Sequence, residues 1–172
     1  MELLLDGEST ERLLFRKVTL SHFDAWLPFH RDRRTSEFWS GLPKDPIKAC
    51  TDDLERTLYR YENGLGGKQA LILRDTEQLV GLAGLLIQEV AGKREIEIAY
   101  SLLPEFWGKG LATEAALQCK EVAIERQLAP SLISIIQIHN LPSQKVATAV
   151  GMQQRGTTQY HNNPVHIYRI AL

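Results

Sequence analysis

The sequence predicts a mixed α/β fold of the α+β kind: a central, mostly antiparallel sheet, one parallel strand–helix–strand crossover, and helices on both faces. Three observations carry this. Gln69–Arg74, Gln78–Gln88 and Arg94–Leu103 are strand-like runs joined by short polar turns, the pattern of an antiparallel meander. From Gly108 to Gln127 the apolar spacing becomes helical, with Leu111, Ala112, Ala115, Ala116, Cys119, Val122 and Ala123 on one stripe. Leu132–Ile138 is then β-branched and nearly all apolar, as a buried parallel strand should be.

The elements follow in order. Leu13–Leu20 reads as a first strand. Ser21, with Asp24 three residues on, marks a helix start, and Pro28 should kink that helix or end its first segment. Asp45-Pro46 is a cleaner signal, an N-cap followed by proline at the first helical position. Ile47, Cys50, Leu54, Leu58 and Tyr61 then repeat at spacings of three and four, and Gly64, Gly66 and Gly67 close the helix. After the meander, with turns at Asp75–Glu77 and Ala91–Lys93, the Gly108 helix ends before Pro130. A short helix from Ser143 to Val150 ends at Gly151, and strands near Met152–Tyr160 and Val165–Leu172 finish the chain. A right-handed crossover fixes the face that the Gly108 helix covers.

At 172 residues the chain has the length of one domain, 1–172, able to bury a core without metal or disulfide staples. A net charge of −1 gives no global field toward nucleic acid or an anionic membrane, so neither is expected as a partner. Cys50 and Cys119 stand alone on apolar helical stripes, and no His/Cys cluster has metal-ligand spacing, so no metal is expected. Met1–Asp6 is too short and wrongly charged for a signal peptide, and no apolar run approaches a membrane span. A cytoplasmic location is the expectation.

The stretch that carries chemistry is Glu95–Ala116. A strand passes through Pro104 into Gly108-Lys109-Gly110, and a helix opens at once. The first N–H groups of a helix lack intrahelical partners, and its dipole places about half a positive charge there. Glycines let the backbone approach a pyrophosphate, and Lys109 supplies a cation. The loop is neither a Walker A motif, lacking the Gly-Lys-Ser/Thr ending, nor a dinucleotide fingerprint, lacking the third glycine.

Trp107-Gly-Lys-Gly-Leu-Ala112, preceded by Leu102-Leu-Pro-Glu-Phe106 and followed by Thr113-Glu-Ala115, resembles the acetyl-CoA pyrophosphate loop of the GNAT superfamily. Trp107 stands where most of that superfamily has Gln or Arg, which is similar to the RimJ/RimL-type N-acetyltransferases. Thr10-Glu-Arg-Leu13, Glu97-Ile-Ala-Tyr100, and Asn140-Leu-Pro-Ser143 followed by Gly151-Met152 resemble further segments of that branch, in the same order. The resemblance implies a GNAT-like fold and direct transfer of acetyl from acetyl-CoA to a primary amine on a protein N-terminus or a small molecule. It allows a homodimer.

The resemblance also implies site residues. Tyr100, Ser101 and Leu102 would pair through their backbone with pantetheine, where two strands splay. Trp107, Gly108, Lys109, Gly110, Leu111, Ala112 and Thr113 would hold the pyrophosphate, and Asn140 would lie near the CoA backbone. Ser143 would lie near the sulfur and assist thiolate departure. A lysine-type amine is only about 0.1% neutral at pH 7, a shortfall of roughly 4 kcal/mol, so a base is needed. Glu97 is the candidate catalytic base, and Glu95 shares its face by strand alternation. Each residue also has a plainer role available. Both glutamates can be solvent-facing strand residues, and Asn140 and Ser143 can cap the short helix.

His139, His161 and His166 show no partner and read as structural or surface residues. Arg31, Arg33 and Arg34, with Trp39, lie in the helical segment that the resemblance places at the acceptor site; they read as a solvated helix face, with recognition of an acidic substrate as the alternative. Thr157–Asn163 contains no Asp or Glu, so a final-hairpin acid, present in some relatives of the branch, is missing. That leaves a catalytically silent acetyl-CoA-binding sensor or scaffold as the rival reading. Gly110→Val is expected to weaken CoA binding with little loss of fold.

Overall fold

A computed structural model describes residues 2–172; Met1, at the head of the segment read as no signal peptide, lies outside the described residues. Seven strands form one sheet in the order β1-β2-β3-β4-β5-β7-β6. They are β1 (Leu13–Arg16), β2 (Gly66–Leu73), β3 (Leu79–Val90), β4 (Lys93–Leu102), β5 (Ser131–Gln137), β6 (Gln153–Tyr160) and β7 (Asn163–Ala171). Helices α1 (Phe23–Arg31) and α2 (Pro46–Glu62) precede β2, α3 (Leu111–Glu125) links β4 to β5, and α4 (Leu141–Val150) links β5 to β6. Every neighbouring strand pair is antiparallel except β4–β5, which is parallel through α3. The predicted element order and mixed sheet are those observed.

Helices cover both faces. α1 and α2 pack on β2 and β3, while α3 and α4 pack on β3, β4 and β5. The core lies between these layers, with Trp26, Phe15, Leu54, Leu82, Ile98 and Leu132 fully buried. Asp45 caps α2 as the sequence indicates, its Oδ1 accepting from the Lys48 N–H at 3.0 Å, with Pro46 at the first position. The meander's second turn holds Ala91 and Gly92 at positive φ, +48° and +72°, between the paired Val90 and Lys93. That handedness suits the twist of two-residue hairpins.

Several boundaries differ from the sequence reading. β1 stops at Arg16 rather than Leu20, because the Val18 N–H turns away to the Tyr61 hydroxyl and the Thr19 N–H donates to His22 Nδ1 at 3.0 Å. The Thr19–His22 turn, not Ser21–Asp24, therefore leads into α1. Pro28 does not end α1, which continues to Arg31. The missing proline N–H is offset by side-chain anchoring: Trp26 stacks on Phe29 at 4.3 Å, and its indole N–H donates to Asp53 at 2.9 Å. Gly66 and Gly67 open β2 instead of closing α2. A Cβ on Gly66 would meet the Leu85 carbonyl oxygen at 2.1 Å, so glycine is what lets β2 lie against β3 there.

Candidate active site

β4 and β5 part company along their length. Their ladder holds one register pair, Glu97 with Ile133, and none nearer Leu102 among the described residues. The Ser134 hydroxyl crosses the widening gap to donate to the Ile98 carbonyl at 2.8 Å. That carbonyl therefore faces β5, and strand alternation turns the Tyr100 backbone to the same edge. The Leu102 carbonyl is occupied by the Trp107 indole N–H at 2.9 Å, which closes the upper end.

Two cavities meet at this gap. The larger, about 580 Å³, runs from the gap over the Gly108–Thr113 turn. The smaller, about 270 Å³, lies over the β2–β3–β4 face and is lined by Lys68, Gln88, Glu97 and Tyr160. Trp39, Tyr100, Ser101, Asn140 and Ser143 line both, so they mark the junction.

The loop before α3 presents a helix start to the larger cavity, an arrangement that can receive an anion. Gly108 and Gly110 sit at φ +70° and +78°, and Gly110 is the N-cap of a 15-residue helix. Leu111, Ala112 and Thr113 form its first turn, whose N–H groups have no i−4 acceptor in the helix, and all three line the larger cavity. A Cβ on Gly108 would meet nothing within 4 Å, so the backbone is open to a close-lying ligand. The positive φ at Gly110 corrects the expectation that valine there spares the fold, since a β-branched residue is strained in that conformation wherever its side chain points.

A clasp fixes this turn from behind. Arg12 donates to the Lys109 carbonyl at 2.8 Å and to Glu114 Oε2 at 2.6 Å, while the Arg12 N–H donates to Glu114 Oε1 at 2.8 Å. The Thr10 hydroxyl adds a bond to the same Oε1 at 2.5 Å. Burial pushes the Glu114 carboxyl up, but these bonds and the Arg12 charge outweigh it and hold it below the ordinary range. The Thr10–Leu13 motif thus acts on the loop nearly a hundred residues later. Lys109 itself points elsewhere: its ammonium lies over the Phe106 ring at 5.4 Å, and it is not among the residues lining the larger cavity.

Of the two candidate caps, Asn140 takes that role for α4 and Ser143 does not. Asn140 is the N-cap of α4, its Oδ1 accepting from the Ser143 N–H at 3.2 Å, yet both residues line both cavities. The Tyr100 hydroxyl donates to the Ser143 carbonyl at 2.9 Å, tying α4 to β4 across the gap.

The two glutamates separate. Arg169 grips Glu95 with two bonds, 3.1 and 2.7 Å, and holds its carboxyl below the ordinary range. Glu95 lines neither cavity. Glu97 lines the smaller one, is only 8% exposed, and accepts from Gln88 Nε2 at 2.9 Å. Burial raises its pKa above the ordinary glutamate value, against the Gln88 bond, the Ile135 N–H and the charges of Lys68 and Arg60.

Other candidates resolve simply. Cys119 and Cys50 are fully buried, and burial pushes their thiols up to about 12 and about 11, which suits packing rather than nucleophilic attack. His166 bonds Thr157 Oγ1 at 2.8 Å within the β6–β7 hairpin. Four further residues stand out among those lining the cavities. Arg34, read as part of a solvated face, lines the larger cavity with its guanidinium 5.7 Å from the Trp107 ring. Trp39 belongs to the junction, and Lys68 and Tyr160 to the smaller cavity. They come from three separate segments, the α1–α2 connection, β2 and β6, and no local motif marks any of them.

The family model for the acetyltransferase (GNAT) domain matches residues 12–153. The chain belongs to the GNAT acetyltransferase family. Among curated relatives, the N-acetyltransferase p20 of Bacillus licheniformis, itself uncharacterised, is 24% identical over 148 residues, covering 86% of this chain and 82% of that protein. Among solved structures, an acetyltransferase from Agrobacterium tumefaciens superposes with a TM-score of 0.81 at 22% identity, over 100% of this chain and 98% of that one. RimL, the ribosomal L7/L12 α-N-protein acetyltransferase in complex with coenzyme A, gives a TM-score of 0.75 at 14% identity, over 96% and 97%. At these identities the structural likenesses establish the GNAT fold.

Proposed function

We propose that this protein transfers the acetyl group of acetyl-CoA directly to a primary amine, with acetyl-CoA in the larger cavity and the amine in the smaller. The observation that carries this is the junction, where an anion-binding helix start, a splayed strand edge and a buried carboxylate open onto one another. The CoA complex of the RimL structure supports the same donor, and the ordered motifs support the RimJ/RimL-type branch.

In this reading pyrophosphate sits on the N–H groups of Leu111–Thr113, and pantetheine adds to the free edge of β4 near Tyr100–Leu102. A backbone N–H on that edge holds the thioester oxygen. Glu97, through a water, takes a proton from the ammonium. The amine lone pair then attacks the carbonyl carbon, forming C–N and an oxyanion that the N–H stabilises. Collapse breaks C–S, and the departing thiolate takes up the second proton lost by the attacking nitrogen, with the Ser143 hydroxyl beside it, leaving a neutral amide and free CoA. The buried cysteines exclude themselves as acyl carriers, so transfer is direct.

The expected result is acetyl-CoA-dependent release of free CoA with acetylated amine detected by mass spectrometry. Glu97→Gln should lower kcat at least about 100-fold, as for loss of a general base, with acetyl-CoA binding retained. The lack of an acid in Thr157–Asn163 favours the sensor as a second reading. It predicts saturable acetyl-CoA binding with no acceptor turned over, and binding indifferent to Glu97→Gln.

A further inference from the structure

The smaller cavity holds a cation that the acetyl-transfer reading leaves unused. Lys68 lines it from β2, and its Nζ lies 3.4 Å from Ser101 Oγ at the junction. Among the described residues no carboxylate comes within 4 Å of that ammonium, so it forms no ion pair. Its two acidic neighbours have other partners. Asp53 accepts from Trp26 at 2.9 Å and from His30 at 3.2 Å, and Glu97 accepts from Gln88. Burial drives the Asp53 carboxyl up, yet the Lys68 charge and these bonds outweigh it and hold it well below the ordinary range. Arg60, the other cation close to Glu97, donates from Nη2 to the Leu65 and Ile87 carbonyls and lines neither cavity.

Lys68 and Glu97 share one face of the sheet. Lys68 pairs with Gly84 and Gly84 with Ala99, so Lys68 stands two strands and two residues from Glu97. Strand spacing and rise put their Cα atoms about 12 Å apart, with opposite charges directed into the space between. Trp39 and Tyr160 wall that space, and at about 270 Å³ it falls just below the range of about 300–1,000 Å³ common for drug-sized ligands.

We infer that the acceptor is a small amine that also carries a carboxylate, of the α-amino-acid class, with its amine toward Glu97 and its carboxylate on Lys68. This rests on the acetyl-transfer reading and narrows it. The backbone of a polypeptide N-terminus offers Lys68 a neutral carbonyl oxygen, whereas a carboxylate adds the attraction of opposite charges in a partly buried space.

The test compares free amino acids with the matching amino-acid amides as acceptors, by CoA release and product mass. The wild-type protein should favour the acids by at least about 10-fold in kcat/KM, which is about 1.4 kcal/mol. Lys68→Met should bring that ratio close to 1, and Lys68→Arg should keep most of it. Acetyl-CoA titration of each variant reports whether the donor half is folded, and the wild-type ratio stands without any variant. Equal use of acids and amides by the wild type, or a ratio unmoved by Lys68→Met, overturns the inference and leaves acetyl transfer intact. If neither series is acetylated while a peptide N-terminus or a polyamine is, the inference falls alone; acetyl-CoA binding with no amine of any of these classes acetylated overturns both.

Discussion

Glu97 joins function to a cost in stability. Its carboxyl is taken from water, so its folded pKa lies above its unfolded value. Between those two values the folded state binds more protons than the unfolded state, so stability falls as pH rises through that window. The penalty is complete once pH exceeds the folded pKa. Glu97→Gln should therefore melt at a higher temperature than the wild type at neutral pH, and the gap should close as pH falls below the ordinary glutamate value. A pH series of thermal unfolding curves checks this, and a lower melting temperature for the variant at neutral pH would contradict it. The same ionisation makes acetyl transfer by the wild type rise with pH through the raised pKa.

Single residues were legible where chemistry and local geometry coincide. Gly108, Gly110 and Asn140 announce a helix start through backbone needs alone, and Asp45-Pro46 does the same for α2. Lys68 and Tyr160 were not, because a lysine in a strand and a tyrosine near a turn gain meaning only from the register that sets them on one face with Glu97.

At the scale of elements, the clearest structural addition is the clasp between the chain before β1 and the start of α3. Thr10–Leu13 resembled a family opening without a physical reason for it. The reason is that Arg12 and Thr10 satisfy Glu114 and the Lys109 carbonyl, which fixes the left-handed turn at Gly110. Arg12→Ala should weaken acetyl-CoA binding by about 10-fold, equivalent to about 1.4 kcal/mol, and raise KM for acetyl-CoA more than for the amine. Calorimetry and steady-state kinetics together check this. Equal loss in both KM values would mean general loosening instead.

Strand and helix order followed from periodicity, whereas boundaries failed where tertiary contacts overrode local preference. β1 ends early because Tyr61 claims the Val18 N–H. α1 runs through Pro28 because Trp26 is anchored on Asp53. Gly66 and Gly67 look like helix punctuation in sequence, yet Gly66 allows a backbone approach visible only once β3 is beside it.

For the whole molecule, the parallel β4–α3–β5 crossover sets the site. It puts the α3 start and the splayed strand edge at the same end of the sheet, and the end of α1 and the loop after it wall the cavities from the other side. This architecture was legible because a meander followed by an apolar strand–helix–strand run admits few topologies. The meeting of two cavities was not, since it depends on how far β4 and β5 diverge, and neither strand's sequence sets that divergence alone. Calorimetric titration of acetyl-CoA into the purified protein tests the donor site most directly. Saturable micromolar binding at one site per chain is expected, and no detectable heat of binding up to millimolar acetyl-CoA would contradict the acetyl-transfer reading.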